Sequence, residues 1–140
     1  MHRPPKPTIL DAIPLALLGL GALALSACTA QQLQREAVRA EKILDAKVSA
    51  WDQHFHAVYD ACEAAHPDKG PERDACVAEV DRIDDAVGHV VTAAVAAGRA
   101  FWLGMAVGED PTALRAHVTD LVTAVSGFPV EALDGIGGGR

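Results

Sequence analysis

The sequence lacks the short motifs that carry catalysis or nucleotide binding in many enzymes. It has no glycine-rich phosphate loop after a strand, no HExxH, no GxSxG and no CxxC. Basic residues are also in deficit, with 12 Lys and Arg against 19 Asp and Glu. Because nucleic-acid backbones attract basic surfaces, this balance disfavours sequence-general nucleic-acid binding. We therefore predict a protein that is not an enzyme, needs no cofactor and binds no nucleic acid.

One long apolar run is present, close to the N-terminus. Arg3 and Lys6 precede it, residues 15–25 form it, and a small Ser-Ala pair follows at 26–27. This order of basic start, apolar run and small residues is typical of a secretory signal peptide. The run is shorter than the roughly 20 apolar residues that cross a bilayer as a helix. The pattern therefore predicts a signal peptide at residues 1–27 and an exported protein.

The end of this run, LSAC at positions 25–28, resembles the lipobox of bacterial lipoproteins. In that family the cysteine thiol receives a diacylglyceryl group and the chain is cut just before it. The resemblance implies that Cys28 is lipidated, with residues 28–31 as anchor and short linker. Thr29 stands where inner-membrane retention in that family uses aspartate, which implies the outer membrane, periplasmic side, in a host with two membranes. The other interpretation is an ordinary helix at residues 12–27 followed by a free or buried thiol.

The remaining chain has the length and composition of one small domain. Residues 28–140 hold 10 basic and 18 acidic side chains, a net charge of −8. A chain of this length supports one modest core. We expect a helical domain at residues 32–128. The glycine-rich residues 129–140 are expected to be a flexible tail.

Two cysteines, Cys62 and Cys76, remain in the predicted exported domain. An even pair in an oxidising compartment indicates a disulfide. The alternative is a zinc site in which His66 joins both thiolates and Asp74 or Glu63 is the fourth ligand. Export favours oxidation of the thiols, and three firm ligands are one short of a structural zinc site. The disulfide is therefore the preferred interpretation, with no metal bound.

The segment between the cysteines predicts a turn between two helices. Residues 66–72 contain two prolines and a glycine, which end one helix and begin another. Apolar residues recur on both sides at steps of three and four, which indicates one helical stripe on each side. The stripes are Leu33, Ala37, Ala40, Leu44, Val48, Trp51, Phe55, Val58, Cys62 and Ala65, then Cys76, Val80, Ile83, Val87, Val90, Ala94, Ala97 and Phe101. They are mirror images about the turn, so the two cysteines face each other. We predict an all-α fold: a long antiparallel helical hairpin closed by a disulfide, with helices from about Gln32 to Ala65 and from Pro71 to Val107.

The second half of the second helix carries apolar residues off this stripe. Val91, Val95 and Trp102 would be bare in a structure of two helices. Asp110 is a suitable N-cap for a third helix, whose apolar face runs from Leu114 to Val125. We predict that this shorter helix packs on the membrane-proximal half of the hairpin and covers those residues.

These features together favour a lipid-anchored envelope protein that acts as a non-catalytic interaction or scaffold module. The predicted partner contact is the exposed strip around His54, His56 and Asp60, at the end far from the lipid. Its partners would be the membrane, through the lipid, and an envelope protein. Two alternatives stay open: a lysis or exclusion lipoprotein of a phage or mobile element, and a small metal-binding lipoprotein.

Overall fold

The computed structural model describes residues 13–134, with side chains described from position 29 to position 133. In that part of the chain the regular elements are all helices and no strand occurs. The elements are α1 (Ile13–Ala65), α2 (Pro71–Val107), α3 (Pro111–Ser126) and α4 (Glu131–Asp134). The predicted all-α class is confirmed. The predicted lipidation site, Cys28, and the whole of the predicted signal peptide, residues 1–27, lie outside the residues whose side chains are described.

Helix α2 has the bounds that the sequence predicts, because both ends carry local signals. Pro71 occupies its first turn, where the missing amide hydrogen has no helical acceptor to lose. Gly108 ends it in the left-handed region at φ 73°. The amide of Glu109 donates to the Gly104 carbonyl at 2.9 Å, and the Gly108 amide donates to the Met105 carbonyl at 3.3 Å. A left-handed glycine at a helix end allows these two amides to pair with carbonyls of the last turn, which would otherwise lack a partner.

Helix α3 also begins where its capping residue predicts. The Asp110 carboxylate accepts hydrogen bonds from the amides of Thr112 at 2.8 Å and Ala113 at 3.0 Å. Pro111 again occupies the first turn, and Gly127 follows the last helical residue. A side-chain cap of this kind satisfies amides that have no partner within the helix.

Helix α1 begins earlier than predicted. It starts at Ile13 rather than near Gln32, and it passes without interruption through residues 28–31, which were expected to be a linker. No glycine or proline stands between position 22 and position 66 to break it. The prediction of an anchor and linker at residues 28–31 concerns the cleaved chain, and it stays a prediction.

A disulfide joins the two long helices. Cys62 near the end of α1 and Cys76 near the start of α2 are bonded, with Cα atoms 5.7 Å apart. The predicted disulfide between Cys62 and Cys76 is confirmed. Farther from the turn, the indole Nε1 of Trp51 on α1 donates to the Asp84 carboxylate on α2 at 2.8 Å.

The core draws on all four helices. Its largest fully buried side chains are Trp51, Phe101 and Leu121, one from each of the three longer helices. The buried apolar residues are Leu33, Ala37, Ala40, Leu44, Trp51, Cys62, Val80, Val87, Ala94, Phe101, Leu114, Val118, Leu121, Val125, Phe128 and Ala132. Burial of apolar surface contributes roughly 25 cal/mol per Å² and holds these helices together. No buried polar or charged residue occurs among the described side chains.

The coverage of the second half of α2 differs from the prediction. Val91 packs partly buried against the core, but Val95 is 49% exposed, so α3 does not cover it. Trp102 is half-buried, and its Nε1 donates to the Glu41 carboxylate of α1 at 2.7 Å. Its ring meets that of Phe101 edge-on at 5.0 Å. Trp102 is thus bound to α1 through its polar edge.

The packed structure extends past the predicted start of the tail at residue 129. Phe128 is 4% exposed, and Ala132 in α4 is fully buried. Lys47 of α1 donates to the Val125 carbonyl at 3.4 Å and lies 5.8 Å from the centre of the Phe128 ring. Residues up to Leu133 therefore belong to the packed domain. Residues 135–140 lie outside the described part.

Helix α2 is long and apolar enough to cross a membrane, by length and composition. An 18-residue window within it has a mean hydropathy of 1.6, and 22% of that window is buried inside the fold. The helix also carries an exposed Arg99. A guanidinium in the centre of a bilayer costs at least about 2.5 to 3.5 kcal/mol.

Candidate functional site

The end of the molecule that contains the disulfide holds the candidate residues. We define the disulfide end as residues 50–90, which comprise the last part of α1, the turn and the first half of α2. The predicted contact residues and the residues of the zinc alternative all fall within it.

The zinc alternative fails because both of its thiols are used. Cys62 and Cys76 are bonded to each other, so neither sulfur is a thiolate ligand. The third proposed ligand, His66, has its Nδ1 atom 3.7 Å from the Glu72 carboxylate, which is close enough for an ion pair when the imidazole is protonated. Among the described side chains, no group of three His, Cys, Asp or Glu is arranged to hold a metal ion.

The three predicted contact residues lie close together on α1 but do not form one cluster. His54 is half-buried, with its ring 6.3 Å from that of Trp51. His56 is exposed and meets the Phe55 ring edge-on at 5.6 Å. Asp60 is exposed, one turn beyond His56. No hydrogen bond or ion pair between described residues joins the three, so they form a strip rather than a pocket.

An aromatic ladder lies beside this strip. The rings of Trp51 and Phe55 are 5.7 Å apart, and those of Phe55 and Tyr59 are 6.2 Å apart. Spacings of this size are usual for interacting aromatic pairs. Sequence reasoning assigned the first two rings to the core and missed Tyr59. The four-residue spacing of the three aromatics was the signal that could have found it.

Tyr59 opens onto a groove between the two long helices. The groove has a volume of about 600 Å³, and it is lined by Tyr59, Lys69, Gly70, Arg73, Asp74, Val77, Ala78 and Asp81. Within it Arg73 forms an ion pair with Glu63. Tyr59 and Val77 are half-buried. The Tyr59 hydroxyl makes no hydrogen bond to another described residue.

The disulfide end carries the whole net charge of the chain. Residues 50–90 contain 10 Asp and Glu and 3 Lys and Arg, a net charge of −7. The remaining residues balance, with 9 acidic and 9 basic side chains. Two carboxylates at this end pair with arginine, in Glu63–Arg73 and Glu79–Arg82. The exposed aspartates with no ion pair to another described residue are Asp52, Asp60, Asp68, Asp74, Asp81, Asp84 and Asp85.

The Glu79–Arg82 pair has the clearest electrostatic effect. Arg82 donates to both carboxylate oxygens of Glu79, at 2.7 and 3.0 Å. These hydrogen bonds favour the charged form of the carboxyl, so the pKa of Glu79 lies below its ordinary value of 4.5. The same contact raises the pKa of Arg82. Both groups stay charged in neutral solution, and the pair neutralises one of the acidic groups at this end.

The core is thin at the disulfide end. Of the 16 buried apolar residues, four fall within the 41 positions of the disulfide end: Trp51, Cys62, Val80 and Val87. Stripe positions such as Phe55 and Ile83 are partly buried there. Buried apolar residues are thus sparser at the disulfide end than in the rest of the described chain.

Comparison with known protein families, with curated proteins and with solved structures finds no match.

Proposed function

We propose that this protein is a lipid-anchored module of the bacterial envelope that acts by contact with another envelope protein and not by catalysis. The LSAC sequence after an apolar run supports the anchor. The Cys62–Cys76 disulfide supports export, because disulfides persist in oxidising compartments. The observation that carries the contact role is the disulfide end, which combines a thin core with the whole net charge.

The proposed architecture is a long antiparallel hairpin with α3 on the half nearest the anchor. Two side-chain links support it, since Trp51 bonds to Asp84 while the earlier Glu41 bonds to the later Trp102. The bond from Lys47 to the Val125 carbonyl supports placing α3 beside the first half of α1. At 1.5 Å per residue, the 34 residues from Cys28 to Cys62 would hold the disulfide end roughly 50 Å from the lipid.

The anchor is tested by the mass of the intact protein recovered from membranes. We expect a mature chain that begins at Cys28 and carries lipid on that residue, since acyl chains contribute about 0.8 kcal/mol per buried methylene to membrane binding. A Cys28→Ser variant serves as the control and should keep its leader and lose the added mass. A mature chain that begins elsewhere, or an unmodified Cys28, would refute the anchor.

The contact role is tested in living cells with a photo-crosslinking residue at position 56. We expect His56 to cross-link to one discrete envelope protein, identified by mass spectrometry. An Asp60→Lys change in the same chain should abolish the product, because charge reversal at a contact places like charges together. The matched control is Asp120→Lys on α3, an exposed aspartate outside the disulfide end. A product that survives Asp60→Lys, or that is lost equally with Asp120→Lys, contradicts the contact role.

A further inference from the structure

We propose that the groove between Tyr59 and Val77 binds an amphipathic helix with basic flanks, supplied by the partner protein. This inference rests on the proposed contact function, and it names the chemistry of the partner and the surface that receives it. The groove lies beside the His54–Asp60 strip and is lined by α1, the turn and α2.

The apolar part of the groove suits the apolar face of a helix. Tyr59 continues the aromatic ladder from Trp51 and Phe55, and Val77 lies across the groove on α2. The same helix pair already takes one amphipathic helix in its other half, where α3 buries Leu114, Val118, Leu121 and Val125. A helix that lays its apolar residues into a groove is a common mode of recognition. The free Tyr59 hydroxyl adds a polar contact that a helix side chain can meet.

The net charge of the disulfide end favours a basic occupant. The charged residues that line the groove are equal in number, Asp74 and Asp81 against Lys69 and Arg73, but Arg73 is already paired with Glu63. The disulfide end as a whole carries a net charge of −7. A second copy of this chain would place a net charge of −7 against another of the same size. An anionic lipid surface would be repelled for the same reason. A helix with Lys or Arg on both sides of its apolar stripe complements the aspartates and covers the half-buried apolar residues.

The size of the disulfide end sets the length of the probe. Residues 50–65 of α1 form about 24 Å of helix, which is the span of a 16-residue partner helix. The probe is therefore a synthetic 16-residue helical peptide with leucine at core spacing, lysine on both flanks and alanine elsewhere. A second peptide has glutamate in place of lysine. A third has the composition of the first in a scrambled order that destroys the apolar stripe.

Binding is measured by surface plasmon resonance with the full chain in nanodiscs of zwitterionic phosphatidylcholine, and empty nanodiscs give the background. We expect the lysine peptide to bind above background and the glutamate peptide to show no binding. The scrambled peptide should bind about tenfold or more weakly, because its leucines cannot enter one groove together. Equal binding of the lysine peptide and the scrambled peptide would overturn the proposal, because a groove that accepts a helix face must distinguish them.

Two double variants locate the site. Asp74→Lys with Asp81→Lys should weaken binding of the lysine peptide about tenfold, which corresponds to the loss of two exposed charge pairs. The matched control, Glu36→Lys with Asp120→Lys, makes the same change of charge at exposed positions outside the disulfide end and should leave affinity nearly unchanged. Equal weakening by both would show attraction to net charge alone and would overturn the proposal.

A third variant tests the apolar floor, and circular dichroism checks that each variant keeps its helix content. Tyr59→Ala should weaken the lysine peptide, whereas Tyr59→Phe should keep most of the affinity because the ring is retained. A folded Tyr59→Ala chain that binds as tightly as the parent would overturn the docking site. Self-association of the parent chain in sedimentation, lost in the Asp74 and Asp81 variant, would assign the groove to a second copy and also overturn it.

Failure of this inference and failure of the contact function are distinguishable. If the cross-link from position 56 is lost in Asp60→Lys but persists when Asp74 and Asp81 are reversed, the contact function stands and the basic-helix groove is refuted. If the peptide binds as predicted and no cross-link forms in cells, the groove stands and the proposed cellular contact is refuted.

Discussion

Replacing Gly104 in α2 by alanine tests whether tertiary packing or local helix propensity has the larger effect on stability at this position. The glycine is buried, and a Cβ atom there would meet the Glu109 carboxylate and would lie 3.0 Å from Cδ2 of Leu114. The Glu109 carboxylate is itself held by His117, at 2.9 Å from Nε2. Gly88, in the same helix, is exposed and has no atom within 4 Å of an added Cβ. The two glycines are thus a matched pair.

The expected magnitudes follow from two opposed effects. Replacing an interior helix glycine by alanine favours the helix by about 0.8 to 1.0 kcal/mol. Gly88→Ala should gain most of this. At Gly104 the methyl must displace the Glu109 carboxylate from His117 and crowd the buried Leu114, and overpacking of this kind costs about 1 to 3 kcal/mol. We expect Gly104→Ala to be less stable than Gly88→Ala by about 1 to 3 kcal/mol.

The free energy of unfolding of both variants is measured by urea denaturation, monitored by circular dichroism, in the same buffer and detergent. The two values can be compared if the m-values are unchanged. A third chain combines Gly104→Ala with Glu109→Ala, which removes the carboxylate and should recover part of the loss. If Gly104→Ala stabilises the protein as much as Gly88→Ala does, the packing around the α2–α3 turn is not as described and the reasoning is refuted.

Three further predictions concern the disulfide end. Asp84→Ala leaves the buried Trp51 indole without its acceptor and should cost about 1 to 2 kcal/mol in urea unfolding. Asp85→Ala, at the exposed neighbouring position, should cost close to nothing, and equal losses would contradict the role of the bond. Reduction of the disulfide, which joins residues 14 apart in sequence, should lower the free energy of unfolding by about 3 kcal/mol in the chain-entropy model. An unchanged unfolding midpoint after reduction would contradict this estimate. Because Arg82 lowers the pKa of Glu79, the pair stabilises the fold above pH 4.5, and its contribution is lost as pH falls through the lowered value. NMR titration should therefore find Glu79 below 4.5 in the parent and near 4.5 in Arg82→Gln, and identical values would show that the pair does not form.

Local signals predicted the helix ends well. Pro71 and Asp110 act through backbone atoms only a few residues away, so their effect is visible in a short stretch of sequence. The cysteine pair was predictable for a related reason, since two apolar stripes mirrored about one turn place both thiols at the same height. The start of α1 was not predictable in this way, because no glycine or proline between position 22 and Gln32 marks a boundary.

The candidate site was predicted only in part. The strip around His54, His56 and Asp60 was chosen because it lies far from the predicted anchor, and its function stays a prediction. The groove at Tyr59 escaped notice because its two walls come from residues 18 positions apart, on different helices. The acidic residues between positions 81 and 85 are visible in the sequence, but a charge run of this kind is usually a solvated face and does not by itself indicate a site. The concentration of acidic residues at the disulfide end matters because the core beside them contains few buried residues.

The sequence by itself determined that this chain is helical, where α2 and α3 begin and end, and which cysteines pair, since these depend on residues near one another or on a simple repeat. Only the tertiary structure decided which faces are covered. It left Val95 exposed, joined Trp102 to Glu41 and buried Ala132 in a segment that resembled a tail. Whether a side chain is buried depends on the position of a helix that is distant in sequence. That position is set by the sum of many weak apolar contacts rather than by any local signal.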